Sequence, residues 1–291
     1  MTAKGEVAPR SESNWARAWR RFRRNRLALF SLIALLAMHV AVIFLPSFLK
    51  HDPNTISLFD RFLPPGAKGH ILGTDEMGRD VLARLVYGGR VSLGIGFSAM
   101  LGSIIIGTIC GAVAGFWGGW VDVVIMRITD AMLSFPVFFI LLTLLTILGT
   151  SIQMIVLVIA LTSWMNVARI VRGEVLRAKS SQYVEAAIAV GNSNLAILAR
   201  HILPQCIPSI IVAATLGVAY SILTESSLSY LGLGVKPPTP SWGNMLSSAR
   251  SYIWSAPHLV MYPGLLIFVT VLLYNALGDG LRDALDVAAH R

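Results

Sequence analysis

Residues 182–204 read QYVEAAIAVGNSNLAILARHILP. Tyr183, Ala187 and Val190 recur at i, i+4 and i+7, the spacing of one helical face. Gly191 follows, in the position where a helix is often stopped by a left-handed residue. Asn192, Ser193 and Asn194 are all N-capping types and can start a second helix. On that helix Leu195, Leu198 and Ile202 share a face, and Pro204 ends the unit. The stretch therefore reads as helix, tight glycine turn, helix. It forms an apolar knob with few charges, the kind of surface expected to fill a partner's groove.

The knob sits in a chain built for a bilayer. Of 291 residues, 55% are hydrophobic and 13% are charged, with mean hydropathy +0.68. About 25% charge is usual for a soluble domain, so this chain has too little polar surface for one. The apolar residues come in long blocks rather than stripes, and roughly 20 consecutive apolar residues are enough to span. Six blocks qualify, near 27–49, 91–117, 122–149, 151–170, 207–231 and 258–278. The first is too long for a signal-peptide core and lacks a cleavage site, so it reads as an anchor. The third carries Arg127 and Asp130 in its first half, spaced to pair on one helical face. Pro136, Pro208 and Pro263 lie in or at the ends of spans, as kinks tolerated by neighbours or as hinges.

Net charge is +9, and much of the excess crowds the start: Lys4, Arg10, Arg17, Arg20, Arg21, Arg23, Arg24 and Arg26. Such a tail can bind nucleic acid, but ahead of an apolar block it marks the cytosolic side. Trp15, Trp19 and Phe22 are spaced to let it lie as a short helix on the inner leaflet. The organisation expected is a basic cytosolic tail (1–26), a first transmembrane helix (27–49), an extracytoplasmic segment (50–90), a transmembrane core (91–278) containing the cytosolic loop 171–206, and a cytosolic tail (279–291). Both termini are then cytosolic.

Chemistry is hard to find. There is no phosphate-binding G-x-x-x-x-G-K-[ST] loop, no H-E-x-x-H zinc pair and no G-x-S-x-G elbow. The six histidines are scattered, and none pairs at ligand spacing. In Asp75-Glu76-Met77-Gly78-Arg79-Asp80 the acids have Arg79 among them, which favours ion pairs and helix capping over a cation. Gly73 and Gly78 permit tight turns, and Asp80 can cap the next helix. The spans are nearly uncharged through their middles, which argues against a proton relay. An intramembrane enzyme would need a nucleophile or paired acids there, and a membrane scaffold would not need the knob.

Glu185-Ala186-Ala187, Gly191 and Ile202-Leu203-Pro204 resemble the EAA loop of ABC importer permeases, with His201 where the family usually has isoleucine. Five further stretches, GTDEMGRD (73–80) continuing to YGGRVSL (87–93), LSYLGLG (228–234) with PPTPSWG (237–243), and NALGDGLRDALD (275–286), resemble the dipeptide/oligopeptide/nickel subfamily, in its C-type subunit. The resemblance implies an all-α polytopic membrane protein with six transmembrane helices of the type I ABC importer permease kind, in a bacterial inner membrane. It implies three kinds of partner: a second permease in a heterodimer, two ATP-binding subunits and an extracytoplasmic solute-binding protein. The chain itself would bind no cofactor, no metal and no nucleic acid; ATP and Mg belong to the ATPases. Tyr183, Glu185, Ala186, Ala187, Gly191, Leu203 and Pro204 would couple to the ATPase. Asp75, Gly78, Arg79, Asp80, Glu225 and Trp242 would form the outer gate or the binding-protein contact. Locally, Trp242 reads as an interfacial anchor, and Glu225 as a partner for Arg79 or Arg90 or as a group on the translocation path that meets a peptide amino group. The Pro-Pro-Thr-Pro run reads as a rigid extended loop. The substrate expected is a di- or oligopeptide, with nickel chelates, glutathione and oligosaccharides as alternatives.

Overall fold

A computed structural model describes residues 14–286; the side chains of Asn14 and Trp15 are also outside the described set. Helices dominate, and no strand occurs among the described residues. The basic tail does form a helix, α1 (Asn14–Arg24). Ala18 and Phe22 turn inward while Trp19 stays exposed, stacked on Phe22 at 5.8 Å. Asn25 starts α2 (Arg26–Phe44) by accepting from the Ala28 amide at 3.1 Å. On α2 only Ala28, Ser31, Leu35 and Val42 are buried, a narrow stripe. Leu27, Phe30, Ile33, Leu36, Val40 and Ile43 remain outside. A helix apolar all round with one packed stripe belongs in hydrocarbon.

The longest helix, α3 (Val81–Trp117), starts at the expected Asp80 cap, ten residues before the apolar block at 91. The reason is Asp80, whose Oδ1 accepts from the Ala83 amide at 2.7 Å and caps the helix there. Along α3, Gly107, Gly111 and Gly115 form a stripe against α6 (Ile152–Lys179). A Cβ on Gly107 would stand 2.5 Å from Val167 Cβ, and one on Gly111 would stand 2.4 Å from the Ala168 carbonyl oxygen. The two backbones therefore approach as closely as small-residue helix pairs in membranes do.

The third apolar block does not form one straight span. It breaks into α4 (Gly119–Leu133) and α5 (Val137–Leu148), bent by 87°. Pro136 offers no amide to the helix ladder and disfavours helical backbone at Phe135. Arg127 and Asp130 do not pair as expected. Asp130 meets Arg169 on α6 at 2.6 Å, and Asp122 takes both Nε and Nη2 of Arg172 at 2.5 Å. These pairs fasten α4 to α6.

Two short helices, α7 (Gln182–Ala189) and α8 (Asn194–Ile197), follow. A π turn at Leu198–Ile202 then leads into α9 (Leu203–Tyr230). The Pro237–Pro240 run is a turn rather than an extended rod, with a cis Pro237–Pro238 peptide. After it come α10 (Trp242–Ala249) and α11 (His258–Leu285). Residues 279–285 continue the last helix, and 287–291 of the expected tail lie outside the described residues. Pro208 and Pro263 lie inside α9 and α11. Among the described residues, five helices are long and apolar enough to cross a membrane, six if the bent α4–α5 pair is one span. α3 joins the two ends of the bundle: Asp80 begins it beside the 49–80 segment, and Phe116 ends it in the cluster under the knob.

Candidate functional site

At the knob the glycine turn forms as its sequence requires. Gly191 has φ +85°. Its amide donates to Ile188 O at 2.9 Å, and the Asn192 amide donates to Ala187 O at 3.2 Å. This pair of bonds closes a helix through a left-handed residue. Ser193 Oγ then accepts from the Ala196 amide at 3.4 Å and starts α8. Pro204, expected to end the unit, instead occupies the first turn of α9, where no amide is needed.

The faces of the knob differ from those read from spacing. Val184, Ala187, Ile197, Leu198 and Ile202 turn inward onto Val171 and Val175 of α6 and Phe116 of α3. Tyr183, Ile188, Val190 and Leu195 point outward, with Val190 83% exposed. Tyr183–Ala187–Val190 and Leu195–Leu198–Ile202 are therefore split between core and surface. In helices this short, a buried pair such as Val184 and Ala187 sets the rotation, and the i, i+4, i+7 count does not. Glu185 and Ala186 are exposed, and Leu203 is half-buried. Lys179 Nζ donates to Phe116 O at 2.6 Å and lies over the Phe116 ring, tying the start of the knob to α3. Glu174 Oε1 accepts from both Arg177 (2.8 Å) and Ser209 (2.7 Å), linking α6 to α9.

At the opposite end Asp75 organises the 49–80 segment. Its Oδ2 takes Arg79 Nε at 2.7 Å and faces Arg84 Nε at 3.4 Å. Its Oδ1 accepts the amides of Met77 and Arg79 at 2.9 and 3.0 Å. Glu76 takes Arg79 Nη2 at 2.7 Å. Lys68 and Ser57 donate to Asp60 and hold its carboxyl below the usual carboxylate range. Gly78 turns at φ +74°, and a Cβ there would fall 1.8 Å from Ser57 O. Gly78→Ala is therefore expected to loosen this segment, at a cost of at least the ~1–3 kcal/mol of a strained backbone position. Limited proteolysis of the purified chain should show faster cleavage within 49–80, with the knob unchanged.

Two expectations at this end are corrected. Trp242 is neither an interfacial anchor nor a docking contact: it is 1% exposed. Its ring lies in a slot opened by Gly89, where a Cβ would stand 2.8 Å from Cζ2, and its Nε1 donates to Leu85 O at 2.9 Å. Among the described residues Glu225 pairs with no arginine. It is fully buried and accepts from Ser229 Oγ at 2.7 Å and Ser92 Oγ at 3.0 Å, while Arg79 is occupied by Asp75 and Glu76. The signal was present in sequence as the serines that follow Glu225. The histidines are also not all scattered. His51 and His70 stack at 4.4 Å, and His70 Nδ1 lies 2.8 Å from Asp80 Oδ2.

A bundle of apolar helices with a broken span, a small-residue helix seam and a projecting helix–turn–helix defines a multi-pass membrane protein. One solved structure, described as the crystal structure of an amino acid ABC transporter with histidines, shares the fold. Its TM-score is 0.52 over 70% of this chain and 92% of that one, at 16% identity. Residues 103–290 match the family described as binding-protein-dependent transport system inner membrane component, and residues 13–65 match the N-terminal TM domain of oligopeptide transport permease C. The chain belongs to this family of ABC importer permeases. It is 41% identical to the dipeptide transport system permease protein DppC of Alkalihalophilus pseudofirmus, over 94% of this chain and 90% of that protein. It is also 41% identical to the glutathione transport system permease protein GsiD of Pectobacterium atrosepticum, with the same coverage. With the oligopeptide transport system permease protein OppC of Bacillus subtilis it shares 39% identity, over 97% of this chain and 92% of that one.

Proposed function

We propose that this chain is one of two different permease subunits in an ATP-driven importer of di- or oligopeptides. An extracytoplasmic binding protein delivers the substrate, and two ATPase subunits supply the energy. The observation that carries this reading is the knob. Five inward side chains fix it to the bundle, while Tyr183, Ile188, Val190 and Leu195 stand free beside Glu185. ATP-driven closure of the ATPases moves the docked knobs, and the spans rock open toward the binding protein; hydrolysis resets them. The peptide substrate is inferred from relatives named for dipeptide and oligopeptide transport. Glutathione is the second reading, favoured by the relative named for it.

The isolated chain is expected to show no ATP hydrolysis above background, because it lacks a phosphate loop. Hydrolysis and uptake of labelled dipeptide should appear once the partner permease, the ATPases and the binding protein are reconstituted with it. Robust hydrolysis by the isolated, contaminant-free chain refutes the assignment. The orientation is tested separately. Cysteines at Ser193 and Thr239 should label from opposite sides of the membrane in intact cells, with Thr239 outside, and equal labelling would sink the topology.

A further inference from the structure

His51, His70 and Asp80 come from three separate places in the chain and meet at one point. His51 follows the short turn Leu45–Phe48 that closes α2, His70 ends the turn Ala67–Gly69, and Asp80 caps α3. The two imidazole rings stack with centroids 4.4 Å apart and planes 29° from parallel. His70 Nδ1 lies 2.8 Å from Asp80 Oδ2. One donor atom from each residue lies within 4.8 Å of the other two.

Two of the three donors are positioned by bonds unrelated to each other. Asp80 is buried, and its Oδ1 is committed to the Ala83 amide, so the helix cap holds the carboxylate with Oδ2 facing the histidines. The His70 backbone is held on both sides: its amide donates to Ala67 O, and its carbonyl accepts from Gly66 and Gly73. His51 then closes the group from the other side. A His–Asp pair accounts for His70 alone; His51 adds a third donor atom within reach of the same point.

The donor set selects the ion. Two imidazoles and one carboxylate suit zinc and its late first-row neighbours, whereas magnesium and calcium prefer all-oxygen shells. Zinc binds such donors at about 2.0–2.2 Å, so the three must close in slightly, which rotation of the half-buried histidines allows. We propose that His51, His70 and Asp80 form a binding site for a divalent ion of the zinc class, with a fourth position open to water or a further ligand. The ion ties the 49–80 segment to the start of α3. This site needs no ATPase and no peptide, so it stands or falls apart from the transport assignment.

The test uses the full-length chain, purified without a polyhistidine tag, stripped with EDTA and titrated with Zn²⁺ against a chromogenic chelator. One ion per chain is expected, together with a rise in melting temperature, because an ion that binds only the folded state stabilises it. His51→Ala and His70→Ala should each weaken binding by roughly tenfold or more, the scale on which even the outer partners of metal ligands act. Both should melt like the stripped wild-type chain, which shows that they fold. His201→Gln, at the knob, should bind as wild type. Co²⁺ in place of Zn²⁺ should give a visible absorption band that both alanine variants lose. Zinc binding that survives His51→Ala and His70→Ala unchanged, or no binding by the wild-type chain, overturns the proposal.

Discussion

Gly191→Val is expected to abolish transport while the chain still reaches the membrane in normal amounts. The left-handed backbone at Gly191, φ +85°, is one that a β-branched residue strongly resists. No atom stands within 4 Å of a Cβ built there, so the cost is conformational and not a clash. It amounts to about 1–3 kcal/mol, too little to unfold the bundle. The chain relieves it by leaving the left-handed region, which breaks the two bonds that close α7 and swings α7 relative to α8. Ile197, Leu198 and Ile202 keep α8 and the turn after it in place. The error is therefore confined to α7 and the surface that its exposed Tyr183 and Ile188 form with Val190. Gly191→Asn should retain much of the transport, because asparagine tolerates this region. Glu185→Ala should be milder than the valine variant, since it removes one exposed charge without bending the backbone. The checks are membrane abundance, co-purification of the ATPase and peptide uptake. Full uptake by Gly191→Val at normal abundance would show that this loop is not the coupling element.

The contrast between what sequence revealed and what it hid follows from how local each determinant is. Crossing a bilayer is a constraint on a single segment, so α2, α6, α9 and α11 were legible as apolar blocks. The turn at Gly191 is equally local: one residue type and its neighbours fix the backbone. The Asp80 cap was legible for the same reason, although the apolar block alone begins only at 91, because hydropathy locates apolar residues and not caps. Which face turns inward depends on partners distant in sequence. Leu195 and Leu198 are alike in composition, but only Leu198 meets the α3–α6 core. Asp130 had two arginines to choose from, and the choice of Arg169 required knowing how α4 lies on α6. The glycines at 107, 111 and 115 were a usable signal of close helix approach that the apolar reading passed over. His51 and His70 are brought together by turns in a segment without regular periodicity, which spacing rules do not describe.

Trp242 is the clearest such case, and its removal is expected to have the largest effect on stability. An aromatic residue after a proline-rich loop resembles an interfacial anchor, and only the glycines of α3 reveal otherwise. Gly88 and Gly89 leave a slot: a Cβ on Gly88 would stand 3.3 Å from the Ser241 backbone, and one on Gly89 would stand 2.8 Å from the indole. The indole fills that slot and donates to Leu85 O, while its backbone amide donates to Ser92 Oγ at 3.1 Å. Ser92 Oγ in turn donates to Glu225, so one side chain closes a joint among α3, α9 and α10. Trp242→Ala should destabilise the chain by about 3–5 kcal/mol, the usual range for emptying a buried aromatic site. Trp242→Phe keeps most of the ring and loses the indole donor, a smaller loss of about 1 kcal/mol for the hydrogen bond plus a partial cavity. Thermal melting of the detergent-purified chain reads both. Gly89→Val should also be destabilising, since it overfills the slot. In the Trp242→Ala background the same valine no longer meets the indole and has only Val42, 2.9 Å from its Cβ, to displace, so the double variant should melt higher than the sum of the two losses predicts. Additive losses, or a Trp242→Ala chain that melts like a surface variant, would mean that the indole does not occupy this slot.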